Sequence, residues 1–198
     1  LDDNSTDKTR ELLNKLQALY PDRLKVFSGK ALPDDWRGKV FAMKQLCGKA
    51  KGEYWLFTDA DTVHSSSSVS LAITNILYHK VDFLSGYITQ KTKTFGEKAT
   101  VPSLYLLSGF ILPLWVCKWG KSSALAVAIG QYICVKSDSF MACGGFDLVK
   151  DKTTEDVFLA RAMKRHGYKT VFLNLKDAAM CRMYTSWQSC VNGISKNI

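Results

Sequence analysis

The stretch Tyr54-Trp55-Leu56-Phe57-Thr58 followed by Asp59-Ala60-Asp61 constrains this chain more than any other. Aromatic and aliphatic residues run without a charge into two carboxylates, the pattern of a strand buried on both faces that ends at solvent. Such a strand needs helices on either side, and its neighbours supply them. Residues 6–20 (TDKTRELLNKLQALY) set Leu12, Leu13, Leu16 and Leu19 on one side at helical spacing, with Thr6 or Asp7 as the cap. A short strand is expected at Leu24–Phe27. An irregular connection through Gly29, Pro33 and Gly38 follows, then a helix from about Lys39 to Ala50. Beyond the aspartates, SSVSLAITNILYHK reads as a helix capped by one of the serines at 65–68. Further strands are expected in VDFLSGYITQKT, QYICVKS and TVFLN, with a glycine turn at Gly144-Gly145, a helix near 155–166 and polar helical sequence at the end. This alternation predicts an α/β fold with a mostly parallel central sheet flanked by helices, and a ligand site where the strands end.

A length of 198 residues suits one domain, and 46% hydrophobic residues provide a core that excludes a disordered or collagen-like chain. The net charge of +9 attracts anions without choosing among them. Its lysines are scattered, and there is no zinc finger, RNP signature or arginine cluster, which argues against nucleic acid. The cysteines at 47, 117, 134, 143, 181 and 190 form no CxxC, and the histidines at 64, 79 and 166 have no companion at zinc spacing. Dispersed reduced thiols are therefore expected, and no histidine chemistry. The opening LDDNSTD has neither the basic start nor the apolar run of a secretory signal. It reads as cut just past a strand, so residues 1–198 are expected to be one catalytic-sized domain truncated at both ends.

No charge falls between Lys98 and Lys118 in a run that contains Pro102, Gly109 and Pro113. Three readings stay open for residues 99–120: a buried helix pair, a helix lying at a membrane surface, or a barely sufficient membrane span. Trp115 and Trp119 beside Lys118 and Lys121 favour the surface.

Two acidic pairs carry the candidate chemistry. In an extended segment Asp59 and Asp61 face the same side, where both can approach one divalent ion; they read equally as solvated turn aspartates. Glu155-Asp156 follows Thr153-Thr154 at a helix start. There the carboxylates either complement the helix dipole or supply a general base. Asp2-Asp3 at a strand end can accept from a base N–H, and Gly38-Lys39 sets a cation beside a permissive backbone position. Gly144-Gly145-Phe146 allows close backbone approach to a ligand, or forms a tight turn anchored by Phe146. Gln131 is a candidate for the same cleft.

LDDNSTDKT, WRGKVFAMKQLCGKAKGEYWLFTDADT, GQYICVKSDSFMACGGFD and TTEDVFLARAMKRHGYK occur in the order seen in family 2 glycosyltransferases. The chain resembles that family over nearly its whole length, and more narrowly its membrane-associated branch acting on ceramide, hopanoid and carotenoid lipids. The resemblance implies a GT-A-type domain lacking its first strand, a UDP-sugar donor and Mg²⁺ or Mn²⁺. It also implies inverting transfer, with glucose as the best guess, to a lipid hydroxyl, on a membrane-associated protein whose catalytic domain is cytoplasmic. By the same resemblance Asp3, with Asp2 beside it, meets the nucleobase, and Lys39 lies near the diphosphate. Asp59 and Asp61 hold the metal, Asp61 the more strongly, while Asp156 is the base and Glu155 lies near the acceptor. The Q/RxxRW motif of many membrane-bound relatives is not present at its spacing. Arg182, Trp187 and Lys196 are left as candidates for closing the cleft, which favours single-sugar transfer over polymer synthesis. Alternatives are a carbohydrate acceptor and an inactive transferase-like interaction domain.

Overall fold

The computed structural model describes residues 1–111 and 122–195. Its elements in chain order are α1 (Thr9–Leu19), α2 (Gly38–Cys47), β1 (Tyr54–Thr58), β2 (Thr62–His64), α3 (Ser68–His79), β3 (Phe83–Tyr87), β4 (Thr89–Gln90) and α4 (Phe95–Ile111). There follow β5 (Tyr132–Lys136), α5 (Ser137–Cys143), α6 (Glu155–Arg165), β6 (Thr170–Asn174), β7 (Ala179–Cys181) and α7 (Trp187–Ser195).

The central sheet has the order β1-β5-β3-β6. β3 and β6 pair in parallel, and β5 runs against both β1 and β3, so β1, β3 and β6 share one direction and β5 alone opposes it. That one reversal decides where the site forms. Thr58, the last residue of β1, stands opposite Tyr132, the first of β5, so the loop leaving β1 meets the loop entering β5. A second sheet, β2-β7-β4, joins this edge. The chain crosses between the sheets at Asp59–Asp61, at Ile88 and at residues 175–178.

Strand alternation divides the core in two. Phe83, Ile133 and Val135 pack on one side with Val40, Phe57, Phe140, Phe146, Leu159 and Met163. Leu84, Tyr132 and Cys134 face the other side with Ala72, Ile76 and Val171. Both faces are covered by helices, which is why the strands read as near-continuous apolar runs. The Phe146 ring sits 5.1 Å from Phe57 and 5.3 Å from Phe140 in edge contacts, and full burial of each such ring contributes about 2 kcal/mol.

Several local expectations are corrected. Leu24–Phe27 forms no ladder; a single parallel bridge joins Asp2 to Ser28, with Asp2 N donating to Phe27 O at 2.8 Å. α1 starts at Thr9, whose N–H donates to Asp7 Oδ1 at 2.9 Å, and its Leu12, Leu16 and Leu19 remain exposed. No serine side chain caps α3: the N-cap is Ser67, whose hydroxyl instead meets that of Ser65 at 3.2 Å. β4 and β7 escaped the sequence reading because two or three residues carry no usable period. α4 carries the first part of the apolar run, as far as Ile111, with Pro102 inside it. Among the described residues no helix is long and apolar enough to cross a membrane. Positions 112–120 of the 99–120 segment, with Cys117, lie outside the described residues. Cys47, Cys134, Cys143, Cys181 and Cys190 are free and buried.

Candidate active site

The site follows from three loop ends meeting. α2 opens after Arg37, and its second residue, Lys39, reaches across to Asp59 Oδ1 at 2.8 Å and Glu155 Oε1 at 3.1 Å. One ammonium thus ties the end of β1 to the start of α6. Burial alone would lower the Lys39 pKa, but the Asp59 and Glu155 carboxylates hold it above the ordinary lysine range. Lys39 remains 47% exposed, so these pairs act through position more than through stability.

Asp156 lies in the first turn of α6, where its Oδ2 accepts from Gly130 N and its Oδ1 from Val157 N, both at 2.8 Å. Burial raises its pKa, and the neighbouring Glu155 charge adds to the rise; the two N–H donors and Lys39 oppose it without cancelling it. A carboxylate fixed by two backbone donors and made more basic by burial has the properties of a general base. Gly130 sits close under the site: a Cβ there would stand 3.0 Å from Lys39 Nζ, so the lysine end would have to shift slightly, and in ordinary contact, 3.6 Å, with Asp156 Oδ2.

Lys39, Asp59, Asp61, Gly130, Gln131, Glu155 and Asp156 line one cleft of ≈ 430 Å³, with Ile129, Thr153, Thr154, Val157 and Met183 completing the wall. Gln131 is buried and accepts from Gln90 Nε2 at 2.8 Å, which ties β4 to the cleft. Asp61 is backed by Cys181, whose thiol is pushed up to about 12, first by burial and then by the Asp61 carboxylate. Asp3 does not line this cleft; it lies beside the start of α2, where a Cβ on Gly38 would be 3.7 Å from Asp3 Oδ2. Asp2 is turned inward: its carboxylate accepts from Ser5 N at 3.2 Å and lies 3.8 Å from Arg10. Structural contacts therefore occupy Asp2, whereas among the described residues no hydrogen bond or ion pair engages the Asp3 carboxylate.

Other candidates are placed elsewhere. Gly144 and Gly145 form a positive-φ turn, at 108° and 55°, and Phe146 anchors it in the core. None of the five described turn and C-terminal candidates, Gly144, Gly145, Phe146, Arg182 and Trp187, lines this cleft. Trp187 is exposed at the start of α7 and lies against Gly96. Lys196 lies outside the described residues.

Arg182 is committed to Glu97, which is fully buried. The guanidinium donates through Nη2 to Oε1 at 2.8 Å and through Nε to Oε2 at 3.2 Å. Lys93 N and Thr94 Oγ1 also donate to the Glu97 carboxylate, at 2.7 and 2.9 Å. The readable signal was Thr94-x-x-Glu97 ahead of an apolar helix, a capping-box pattern. The pair fixes α4 to the segment that carries Met183 into the cleft wall. Arg182 first, with the N–H of Lys93, lowers the Glu97 pKa from 4.5 to about 2. A depressed carboxylate stabilises the fold above its unfolded pKa, and that contribution fades as pH falls through 4.5 toward 2. Glu97→Gln is expected to lower Tm by about 5 °C or more at neutral pH, where it breaks the buried pair. Over the acid window its Tm should fall less than that of the unaltered chain. Parallel Tm curves for the two proteins from neutral to acid pH would contradict the assignment.

The Asp59 and Asp61 carboxylates form a hard oxygen set suited to Mg²⁺ or Mn²⁺. Lys39 already supplies a cation at Asp59. No group of three or more protein ligands that could hold a metal exists among the described residues. The pair therefore fits an ion completed by substrate phosphates and water.

Residues 1–115 match the model of glycosyl transferase family 2. Among solved structures, the chain is similar to the mannosyltransferase PcManGT from Pyrobaculum calidifontis in complex with GDP-Man and Mn²⁺. The TM-score is 0.65 at 19% identity over 93% of this chain and 47% of that one. It is also similar to S. aureus TarS 1–349 in complex with UDP-GlcNAc, with TM-score 0.56 and 20% identity over 93% of this chain and 49% of that one. Glucosyl-3-phosphoglycerate synthase from Mycobacterium tuberculosis, bound to phosphoglyceric acid, gives 0.51 at 13% identity over 99% of this chain and 65% of that one. At these identities the likeness is one of fold, and the chain spans about half the length of the first two proteins. No curated protein sequence matches it. With more than half of its residues matching the family model and a central sheet that aligns with GT-A enzymes, the chain belongs to glycosyl transferase family 2.

Proposed function

We propose that this domain transfers a sugar, glucose as the favoured case, from a UDP-sugar to a lipid hydroxyl with inversion at the anomeric carbon. The carrying observation is one cleft with a basic carboxylate, Asp156, on one wall and the pair Asp59 and Asp61 on another, linked through Lys39. A divalent ion bound at that pair would neutralise the leaving diphosphate. Asp3 receives the nucleobase at the Gly38 side. Lys39, already between two carboxylates, exchanges them for phosphate oxygens. Asp156 takes the acceptor hydroxyl's proton as that oxygen attacks the anomeric carbon from the face opposite the diphosphate.

The lipid assignment draws support from α4 and α7, which follow β4 and β7 in the chain, the strands whose Gln90 and Cys181 stand behind the cleft residues Gln131 and Asp61. Phe95, Leu106 and Trp187 on these two helices are 86%, 64% and 57% exposed, an apolar surface beside the acceptor wall. The +9 charge suits an anionic membrane surface as well as the donor. A cytoplasmic catalytic domain accords with the free buried cysteines.

The test is a donor and acceptor screen on the membrane-bound protein, with UDP-glucose, UDP-galactose, UDP-GlcNAc and GDP-mannose against lipid hydroxyls and soluble sugars. A glucosylated lipid of inverted configuration is expected. Product formed only on soluble carbohydrate, or with retained configuration, would overturn the assignment.

A further inference from the structure

We propose that His64 is the strut that sets the Asp59–Asp61 turn and with it the separation of the two carboxylates. The inference rests on the reading above that this pair binds a divalent cation. The turn links β1 of the central sheet to β2 of the small one, so no shared ladder fixes the angle between them. One backbone bond, Thr62 N to Asp59 O at 3.2 Å, crosses the turn. Asp59 is drawn toward Lys39, and Asp61 is backed by Cys181 on β7. The separation of their carboxylates therefore follows the corner angle.

His64 closes that corner. It is the last residue of β2, and its Nε2 lies 2.9 Å from the hydroxyl of Thr58, the last residue of β1. Its Nδ1 lies 2.8 Å from Ser68 Oγ, which donates to Tyr132 Oη at 3.2 Å; Tyr132 Oη donates back to Ser68 O at 2.7 Å. Ser68 and Tyr132 are 1% and 0% exposed, so this end of the strut is fixed in the core. Tyr132 stands directly across the ladder from Thr58, and its ring is 5.9 Å from the imidazole. The ring is exposed, so its loss leaves the core intact while freeing the corner. His64 touches no reacting atom in this reading; it is a positioning residue for the Asp59 and Asp61 carboxylates.

Mn²⁺ binding to the 198-residue chain, followed by loss of the free-ion electron paramagnetic resonance signal, separates the possibilities. His64→Ala is expected to weaken Mn²⁺ binding about tenfold with Tm within a few degrees of the unaltered chain. His64→Gln places an amide nitrogen where Nε2 lies and is expected to recover affinity to within about threefold. His64→Asn reaches only the Nδ1 position and is expected to stay weak. Unchanged affinity in His64→Ala, or equal recovery by Gln and Asn, would overturn the strut alone. So would weak binding in all three variants accompanied by a matching fall in Tm, which marks a general structural role. If the unaltered chain takes up no Mn²⁺, the metal reading of the cleft fails and the strut with it.

Discussion

Asp156→Asn is expected to lower kcat about 100-fold or more while leaving donor affinity within about threefold. The amide matches the carboxylate in shape and keeps one oxygen for the N–H of Gly130 or Val157, so α6 and the cleft wall stay in place. It cannot accept the acceptor hydroxyl's proton. The effect therefore belongs in kcat and in kcat/KM, with Kd for the nucleotide as the control. A second signature is the pH profile. Burial raises the Asp156 pKa above the ordinary aspartate value, so the reactive ionised form is lost at higher pH than for a solvated aspartate. Activity should fall as pH drops through that raised value, with a slope of one proton, and the residual activity of Asp156→Asn should lack this limb. The same sign makes Asp156 oppose stability once ionised: its folded state favours the proton, and stability is lost as pH rises through the folded pKa. Near-normal turnover in the variant, or an acid limb that persists in it, would remove Asp156 from the base role.

What was legible in the sequence depended on whether a residue's neighbours were local. The run from Tyr54 to Asp61 announced itself because a buried strand and its polar end are contiguous, and Glu155-Asp156 did so because a helix start is a local signal. Gly130 donates to a carboxylate 26 positions away, and nothing around it in sequence marks that approach. Arg182 was read toward the cleft because the sequence cannot show the buried Glu97 that claims its Nε and Nη2 donors. His64 was dismissed for lack of a metal partner, whereas its use is to span two sheets whose adjacency is a property of topology. The direction of β5 had the same character: five residues of QYICVKS specify a buried strand but not its sense. Asp2 and Asp3 were inseparable by sequence. Backbone pairing at Ser28 divides them, one inward to Ser5 and Arg10 and the other toward Gly38.

Asp61→Ala is expected to weaken Mn²⁺-supported UDP binding by about 100-fold or more, beyond the 10–100-fold typical of outer-shell partners. The two carboxylates are unequal before any ion arrives. Asp59 is partly neutralised by Lys39 at 2.8 Å, whereas no cation pairs with Asp61 among the described residues. Asp61 therefore faces the cleft with Cys181 behind it and no cation partner among the described residues. A thiol pushed up to about 12 stays protonated at neutral pH, so Cys181 orients the carboxylate without competing for a metal. For an ion to join at Asp59, Lys39 must yield that oxygen, and the incoming diphosphate gives Lys39 another anion to meet. Metal and nucleotide are thereby expected to bind with positive coupling, each removing a competitor of the other. Titration calorimetry of UDP with and without MnCl₂ reads both effects. In the unaltered chain Mn²⁺ should tighten UDP binding, and in Asp61→Ala the Mn²⁺-dependent increment should vanish while the metal-free affinity persists. An increment of full size in the variant would show that the ion, if bound at all, is held elsewhere.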